Sequence, residues 1–278
     1  MPEGHTIHHL TGKIDRWFAG QKLAATSPQG RFADGARILN GQKLNGAEAK
    51  GKHAFLHFEE GRSLHFHLGL FGRTRFRANP APEPRGQIRL RLVGDKRTFD
   101  LSGPNRCEVL GSDEVREAMR RLGPDPLRKE SRLAQFRGRL AKTRRSIGAV
   151  LLDQSVIAGI GNVYRSELLF LGGIDPRTPA NALGDDDVRA LWRNAVRLLR
   201  IGKKHDQIRV LGETGLLGPA GGEDVDPAAW TITSRWGPRQ DRVWVYKRSC
   251  CKVCDHGIAI SELGNRKLYS CPACQQGE

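Results

Sequence analysis

Two Cys-x-x-Cys pairs near the C-terminus constrain the fold of this chain more than any other feature. Cys251 pairs with Cys254 and Cys271 with Cys274, and sixteen residues separate the two pairs. This spacing matches a tetrahedral zinc site with four cysteine ligands. A module this small buries little apolar surface, so a bound metal would supply much of its folding free energy. The array therefore predicts one structural Zn²⁺ in a short β-rich finger.

Cys250 directly precedes this array and is an alternative first ligand. Cys251 is favoured because it keeps the two-residue spacing of the pair. Disulfides are the other use of six cysteines. They are disfavoured because four of the cysteines lie in one compact array and a cytosolic chain of this length does not need cross-links.

A formal net charge of +16 over 278 residues predicts a polyanionic partner. Nucleic acid is the first candidate and an anionic membrane surface the second. The membrane is disfavoured because the sequence contains no run of eighteen apolar residues and no signal peptide. We expect a monomer in the cytoplasm, associated with the nucleoid if the source is bacterial.

The first residues, Met1-Pro2-Glu3, predict an amine nucleophile beside an acid. Methionine before a small residue is usually removed, which would leave the secondary amine of Pro2 free. An amine next to a carboxylic acid is the minimum equipment for opening an N-glycosidic bond through a Schiff base. Apolar periodicity predicts a helix over 6–18, closed by Gly20. The positive end of its dipole disfavours a protonated amine at Pro2, and a free α-amine already titrates near pH 8.

Periodicity also divides the rest of the chain. Alternating apolar residues over 36–110 predict strands and turns, and hence a β-sandwich or barrel. The run Leu-Gly-Pro-Asp-Pro at 122–126 predicts a domain boundary. From 131 to 202 the period is helical. Residues 212–240 are rich in Gly, Pro and Asp and are interpreted as a loop.

Within the helical region, two predicted helices at 147–152 and 162–171 flank a tight glycine turn, which is typical of a helix-turn-helix unit. A further helix is predicted after the acidic residues 185–187. Asn162 follows the Gly-x-Gly turn, where it would cap the helix and bind a phosphate. The alternative is a turn that serves only packing.

Two other short motifs have a structural and a functional interpretation. Lys52 lies beside Gly51 near a strand start, where a lysine is either a solvated surface charge or a phosphate contact. Leu70 and Phe71 form an apolar pair on a glycine-bounded turn. Such a pair is either tucked into a core or, in a DNA enzyme, a wedge that fills the gap left by an extruded base.

Histidines are plentiful, but their spacing predicts no metal site, and we expect most of them to be structural. The histidines considered are His5, His8, His9, His53, His57, His65 and His67.

Taken in order, Pro2-Glu3-Gly4, Lys52, the Asn162 turn and the four-cysteine finger resemble the formamidopyrimidine-DNA glycosylase and endonuclease VIII family. The resemblance covers the whole chain. It implies an α+β fold with three domains: an N-terminal β-sandwich with flanking helices (1–125), a helix–two-turn–helix domain (126–240) and a zinc finger (241–278). Damaged double-stranded DNA, containing an altered base or an abasic site, would lie in the cleft between them.

The resemblance also implies a bifunctional DNA glycosylase with lyase activity in base excision repair. Pro2 would attack C1′ of the damaged nucleotide, with Glu3 as general acid and proton shuttle. The resulting iminium would acidify the C2′ proton, and successive β- and δ-eliminations would cut the strand and release the sugar. Lys52, Asn162 and Arg266 would hold the phosphates around the flipped nucleotide, with Lys52 and Arg266 counted among the catalytic residues.

Departures from the family pattern point to one branch. Most members have Pro-Glu at the positions of His5 and Thr6. Gly4 stands where the purine branch usually has leucine. The Arg-Arg-Phe wedge of that branch is replaced by Asn105-Arg106-Cys107. These differences favour the endonuclease VIII branch, which prefers oxidised pyrimidines.

In that branch Leu70 and Phe71 would be the wedge that enters the DNA. The alternatives are the same chemistry on oxidised purines, such as 8-oxoguanine and formamidopyrimidine, or a non-catalytic zinc-ribbon protein that binds nucleic acid. A loop around 205–235 would choose the base.

Overall fold

Two antiparallel four-stranded sheets form the N-terminal part of the computed structural model, which describes residues 2–210 and 242–276. The first sheet has the strand order β1-β6-β7-β5 and the second β2-β3-β4-β8. The strands are β1 (Ala24–Thr26), β2 (Leu44–Lys50), β3 (His53–Phe58), β4 (Ser63–His67), β5 (Arg73–Ala78), β6 (Ile88–Val93), β7 (Arg97–Ser102) and β8 (Arg106–Leu110).

The inner faces of these sheets share one hydrophobic core, so the predicted β-sandwich is confirmed. The rings of Phe66 on β4 and Phe99 on β7 approach to 6.3 Å between centroids across the two sheets. Helix α1 (Gly4–Phe18) adds buried residues such as Ile7 and Ile14 to the same core. The helix begins two residues before the predicted start.

Two short helices in this part of the chain are absent from the predictions. Helix α2 (Ala33–Leu39) overlaps the region predicted as strands and turns, so that prediction is wrong for residues 36–39. Helix α3 (Ser112–Arg120) precedes the predicted boundary. Among its own residues α3 buries only Val115, and α2 buries only Ala36 and Leu39. So few apolar positions leave no periodic signal.

The second part of the chain is helical, as the change of period predicts. Its helices are α4 (Leu133–Leu140), α5 (Ile147–Val150), α6 (Asn162–Leu171) and α7 (Asp185–His205). The prediction for 162–171 is confirmed, and the predicted helix at 147–152 ends at Val150. Every residue of α6 is buried, which makes α6 the centre of this core.

The C-terminal finger is a hairpin of β9 (Ala259–Leu263) and β10 (Arg266–Ser270) that packs against α6. Leu268, Tyr269 and Cys271 belong to the same buried cluster as Tyr164 of α6. The finger therefore buries more apolar surface than the sequence predicts, because it completes the core of the helices.

A buried carboxylate fixes the chain that leads into the finger. Glu167 on α6 accepts the backbone N–H groups of Trp244, Val245 and Tyr246 at 2.7, 3.1 and 2.9 Å. Burial raises the pKa of Glu167 to about 7, against the opposing effect of these three hydrogen bonds.

Contacts divide the chain into two compact units, Met1–Arg121 and Leu122–Glu278. The three-domain division at 125 and 240 stays a prediction. The predicted loop at 212–240, and most of the predicted base-choosing segment around 205–235, lie outside the described residues. Among the helices in the described ranges, none is long and apolar enough to cross a membrane.

Candidate functional site

The N-terminal residues lie at the start of α1. Glu3 is the N-cap residue, with extended backbone angles, and its carbonyl accepts the N–H groups of Thr6 and Ile7 at 3.0 and 3.4 Å. The residue is completely buried, whereas Pro2 before it is partly exposed. The predicted amine and acid are therefore adjacent to the positive end of a helix dipole.

Helix α1 runs antiparallel to β2, which sets where its N-terminus lies. The carboxylate of Asp15 accepts the N–H of Ala47 at 3.0 Å, and the N–H of Gly20 donates to the carbonyl of Leu44 at 2.7 Å. The N-terminal residues of α1 therefore lie toward the C-terminal end of β2. Pro2 consequently lies at the end of the sandwich where β2 turns into β3.

Lys52 occupies that turn. Lys50 pairs with His53, so Gly51 and Lys52 form a two-residue hairpin loop. Gly51 has a φ of +59° and Lys52 does not have a positive φ, which is the pattern of a type II′ turn. Glycine at its first position lets the hairpin close and present Lys52 at its tip.

Strand register brings the proposed wedge to the same end. His53 pairs with His67, the last residue of β4, and the Leu70–Phe71 turn follows directly. Leu70 is 49% exposed and Phe71 is 83% exposed, so the interpretation of this pair as core is wrong. Glycine is required after the pair, because a Cβ on Gly72 would lie 2.3 Å from the carbonyl oxygen of Leu68.

The Asn105-Arg106-Cys107 segment lies beside this turn. Asn105 donates its N–H to the carbonyl of His67 at 2.8 Å. Cys107 packs against the sandwich core, and burial raises the pKa of its thiol to about 12. Since Cys107 faces inward, it is unavailable as a wedge, which agrees with the sequence argument.

Three histidines and a glutamate form a cluster on the outer face of the second sheet at this end. The Nδ1 of His65 lies 2.9 Å from Oε1 of Glu108, and its Nε2 lies 2.8 Å from Nδ1 of His53. The ring of His67 lies 4.8 Å from that of His53 and its Nδ1 accepts the N–H of Gly69 at 3.1 Å. Sequence reasoning treated these residues as separate structural histidines, and only the strand register brings them together.

Burial keeps these rings neutral. It lowers the pKa of His53 to about 3, with help from the neighbouring His67 and His65. Burial and then the ammonium of Lys52 lower the pKa of His67 to about 4. Burial also lowers the pKa of His65, although Glu108 opposes that shift. The influence of Lys52 on His67 indicates that the cation lies close to this cluster.

In the second unit, Asn162 and the finger hairpin meet. Asn162 donates its side-chain N–H to the carbonyl of Lys267 at 2.8 Å. The N-cap of α6 is Gly161 and Asn162 makes no capping hydrogen bond, so the capping role predicted for Asn162 is wrong. Its carboxamide is instead turned toward the hairpin that carries Arg266.

Arg165, a residue that sequence reasoning missed, organises this contact. It is fully buried and donates to Oδ1 of Asn162 at 2.5 Å and to the carbonyl of Leu263 at 2.8 Å. It also donates to the carbonyls of Arg266 and Lys267 at 3.3 and 3.2 Å. The sequence feature that could have revealed Arg165 is its position as the only arginine in a largely apolar helix, three residues after Asn162.

Arg266 directly follows the tip of the finger hairpin. Leu263 pairs with Arg266, and the two loop residues Gly264 and Asn265 have φ values of +62° and +57°, as in a type I′ turn. The side chain of Arg266 is exposed while its backbone is held by Arg165. Three phosphate contacts are predicted: Lys52, Asn162 and Arg266. Asn162 and Arg266 are brought together within the second unit.

The four cysteines of the array form a compact cluster that could hold a metal ion. All four Sγ atoms lie within 4.8 Å of one another, and the Sγ of Cys254 is 3.5 Å from those of Cys271 and Cys274. A tetrahedral site with bonds of about 2.3 Å places its sulfurs about 3.8 Å apart. Cys251 belongs to the cluster and the exposed Cys250 does not, so this geometry favours Cys251 as the candidate ligand.

Comparison with known proteins gives the family. The N-terminal domain of formamidopyrimidine-DNA glycosylase matches residues 1–107, and its H2TH domain matches 122–211. The Endonuclease 8 1 of Mycobacterium tuberculosis is 42% identical over 281 residues, covering 99% of this chain and 100% of the relative. The formamidopyrimidine-DNA glycosylase of Synechococcus elongatus is 32% identical, covering 85% and 81%.

The fold is also that of solved structures. Lactococcus lactis Fpg, determined in complex with DNA containing an abasic site, superimposes with a TM-score of 0.79 at 22% identity and covers 99% of this chain and 100% of that one. The same protein bound to DNA containing an oxidised pyrimidine gives a TM-score of 0.78.

The chain therefore belongs to the formamidopyrimidine-DNA glycosylase and endonuclease VIII family of DNA-repair glycosylases. Within that family, the match along its whole length to the mycobacterial Endonuclease 8 1 proteins assigns it to the endonuclease VIII-like branch.

The neutral histidine cluster predicts a loss of stability in acid. The pKa of His53 is about 3 when folded and 6.5 as a free group, so its contribution is complete above pH 6.5 and falls as the pH drops toward 3. At pH 5 this protonation should lower the free energy of unfolding by about 2 kcal/mol, because each pKa unit corresponds to roughly 1.4 kcal/mol. Urea unfolding of wild type and His53→Gln at pH 7 and pH 5 should show a smaller pH dependence for the variant. Equal pH dependence would mean that His53 already accepts a proton near pH 6.5 in the folded protein.

Proposed function

We propose that this glycosylase removes oxidised pyrimidines from double-stranded DNA through a Schiff base at Pro2 and then cuts the strand as a lyase. The observation that carries the proposal is the convergence of Pro2, Glu3, Lys52 and the exposed Leu70–Phe71 turn at one end of the sandwich. An amine, an acid, a cation and an apolar wedge are the groups that this reaction needs.

In the proposed reaction the free secondary amine of Pro2 attacks C1′ of the damaged nucleotide, and the bond from C1′ to the base breaks. The amine gives up its proton as the base leaves. Glu3, as general acid and proton shuttle, protonates O4′ while the C1′–O4′ bond breaks and the sugar ring opens, which leaves an iminium between Pro2 and C1′. The iminium that forms makes the C2′ proton acidic, so β-elimination breaks the bond to the 3′ phosphate. A second, δ-elimination releases the sugar from the 5′ phosphate.

Phosphate binding is proposed for three residues on two well-defined turns and one helix start. Lys52 lies on the β2–β3 turn, Arg266 follows the β9–β10 turn, and Asn162 begins α6 beside that hairpin. Cations and amide donors at such positions neutralise or bind phosphate oxygens without reading the sequence. Held around the flipped nucleotide, they would fix its sugar in front of Pro2.

The proposed substrate class rests on the wedge. Extruding a nucleotide leaves a gap, and unstacking costs a few kcal/mol per step. Leu70 and Phe71 are exposed apolar side chains on a glycine-bounded turn, whereas Cys107 faces the core. An endonuclease VIII-like wedge is therefore supported over the opposite-strand wedge of the purine branch.

Zinc is the proposed occupant of the cysteine cluster. Four thiolates at these separations suit a structural zinc site without an open position for catalysis. We therefore assign the metal a role in holding the finger hairpin, and with it Arg266, in place.

The nucleophile is tested by trapping. Borohydride should covalently link the protein to DNA containing an abasic site or an oxidised pyrimidine, because it reduces the iminium at Pro2. A chain with an uncleaved extension before Pro2 has an amide in place of the amine and should not be trapped. Proteolytic removal of the same extension should restore trapping. Equal trapping of the extended chain would place the nucleophile elsewhere.

Metal binding is tested by paired cysteine variants. Freshly purified protein should contain one zinc ion per chain, and Cys254→Ala should lose it and lower the melting temperature of the second unit while sparing the sandwich. The matched control is Cys250→Ala, which lies outside the cluster and should keep both metal and stability. Absence of zinc from the wild type, or disulfides within the array, would contradict the proposal.

The wedge is tested by the double variant Leu70→Ala, Phe71→Ala. Excision of thymine glycol should fall much more in duplex DNA than in single strands, where no stack has to be filled. The melting temperature should change little, because both side chains are exposed in the free protein.

The control for this test is Ile38→Ala, an exposed apolar residue on α2, which should leave excision unchanged. Equal loss on both substrates together with a lower melting temperature would mean that the pair stabilises the fold and does not act as a wedge. Preference of the wild type for 8-oxoguanine opposite cytosine would contradict the pyrimidine specificity.

A further inference from the structure

Strand β5, which follows the proposed wedge, carries an arginine at every second position. Arg73, Arg75 and Arg77 alternate with Thr74 and Phe76. The ring of Phe76 turns inward, lying 4.9 Å from that of Trp17 and 5.2 Å from that of Phe99. Since side chains alternate along a strand, the three arginines all project from the outer face of the first sheet.

The acidic groups on this face neutralise these arginines only in part. Asp100 on β7 lies opposite Arg75 in the register, but its two oxygens are bound by Arg91 at 2.7 and 2.9 Å. Arg77 lies 3.6 Å from the same carboxylate, which is only 2% exposed. One buried carboxylate is thus shared between two guanidinium groups.

Arg73 and Arg75 are exposed, and within the described residues they make no ion pair or hydrogen bond through their side chains. The hydrogen bonds to Asp100 raise the pKa of Arg91, and Glu83, in the segment before β6, adds to that shift. The outer edge of the sheet therefore keeps a net positive charge that the fold itself does not use.

The spacing of these charges suits a nucleic-acid backbone. Alternate residues of a strand recur about every 6.7 Å, so the three arginines span about 13 Å. One strand of duplex DNA advances about 3.4 Å per phosphate, which gives about four phosphates over that length. The planar guanidinium group pairs with phosphate oxygens in a bidentate manner.

Position on the sheet adds a second argument. β5 is an edge strand, so the backbone beside the arginines is open on one side. It begins two residues after Phe71, the most exposed part of the proposed wedge. DNA that accepts the wedge must pass next to this strand.

We propose that β5 is a phosphate-binding strand, in which Arg73, Arg75 and Arg77 contact the backbone of the duplex next to the step entered by Leu70 and Phe71. The inference rests on the proposed function for the position of the wedge. The competing explanation is that the charges only keep this edge strand from pairing with another chain.

The double variant Arg73→Ala, Arg75→Ala tests the proposal while leaving Arg77 and Asp100 in place. Affinity for an undamaged duplex and for a duplex with an abasic-site analogue is measured between 50 and 200 mM salt. Each lost phosphate contact lowers the salt slope by about 0.9, so the variant should lose about 1.8. Over this range the affinity of the wild type should then fall about twelvefold more than that of the variant.

Two matched variants serve as controls. Arg73→Lys with Arg75→Lys keeps the charge and should keep the slope. Arg62→Ala removes an exposed arginine at the opposite end of the sandwich, in the turn between β3 and β4, and should leave the slope unchanged. A lower slope in Arg62→Ala of the same size would show a general charge effect and overturn the proposal.

Three other outcomes would overturn it. An unchanged slope in the double variant excludes the contact. Weaker binding of a polyglutamate peptide with unchanged DNA binding would assign the strand to an acidic protein partner. Increased light scattering with unchanged DNA binding would assign the arginines to edge protection.

Binding to an undamaged duplex does not depend on the chemistry at Pro2. It therefore tests this inference separately from the proposed function. A wild type that fails to be trapped by borohydride would refute the chemistry at Pro2. The salt slope of the double variant would still decide whether β5 binds phosphates.

Discussion

The arrangement of the second unit depends on one buried guanidinium group. Removing a charge of this kind from water costs several kcal/mol unless hydrogen bonds offset the cost. Arg165 donates from one terminal nitrogen to the carbonyls of Gly148 and Leu263, and from the other to Asn162 and the start of β10. The helix start and the hairpin are therefore fixed by the same group, and neither can shift without leaving a buried donor or acceptor unsatisfied.

In the first unit, strand register fixes the relative positions of the candidate site residues. One pairing, His53 with His67, sets which residues of β3 and β4 share the end of the sheet, and the antiparallel course of α1 adds the N-terminus to that end. A slip of one residue would turn every side chain of a strand to the other face. The hydrophobic core, which accepts only one face of each strand, thus also determines which polar residues gather outside it.

Local sequence signals predicted much of this architecture. The alternation of apolar residues gave the sandwich, the 3.6-residue period gave α6, and the cysteine spacing gave the compact cluster of Cys251 and its partners. Contacts between distant residues could not be predicted in the same way. His65 and Glu108 lie 43 positions apart, and Arg165 and Lys267 lie 102 apart, so no local pattern records that they meet.

The amide of Asn162 shows the same limit within a correctly predicted helix. Its position at the start of α6 was right, but its hydrogen bonds go to tertiary partners that only the folded finger supplies. The Leu70–Phe71 pair is a second case, because sequence allowed both a core and a wedge. The close approach of Gly72 to the Leu68 carbonyl, together with the high exposure of the pair, decides between them.

The two hairpin turns that carry Lys52 and Arg266 have a consequence for the entropy of association. A two-residue turn with positive φ values at its glycines has few backbone conformations available, so its ordering is complete before any partner arrives. Binding then immobilises little more than the side chains, at about 0.5–1.5 kcal/mol each. In a complex with DNA, most of the conformational entropy lost at these two contacts would therefore be lost by the nucleic acid, because the flipped nucleotide has to become ordered.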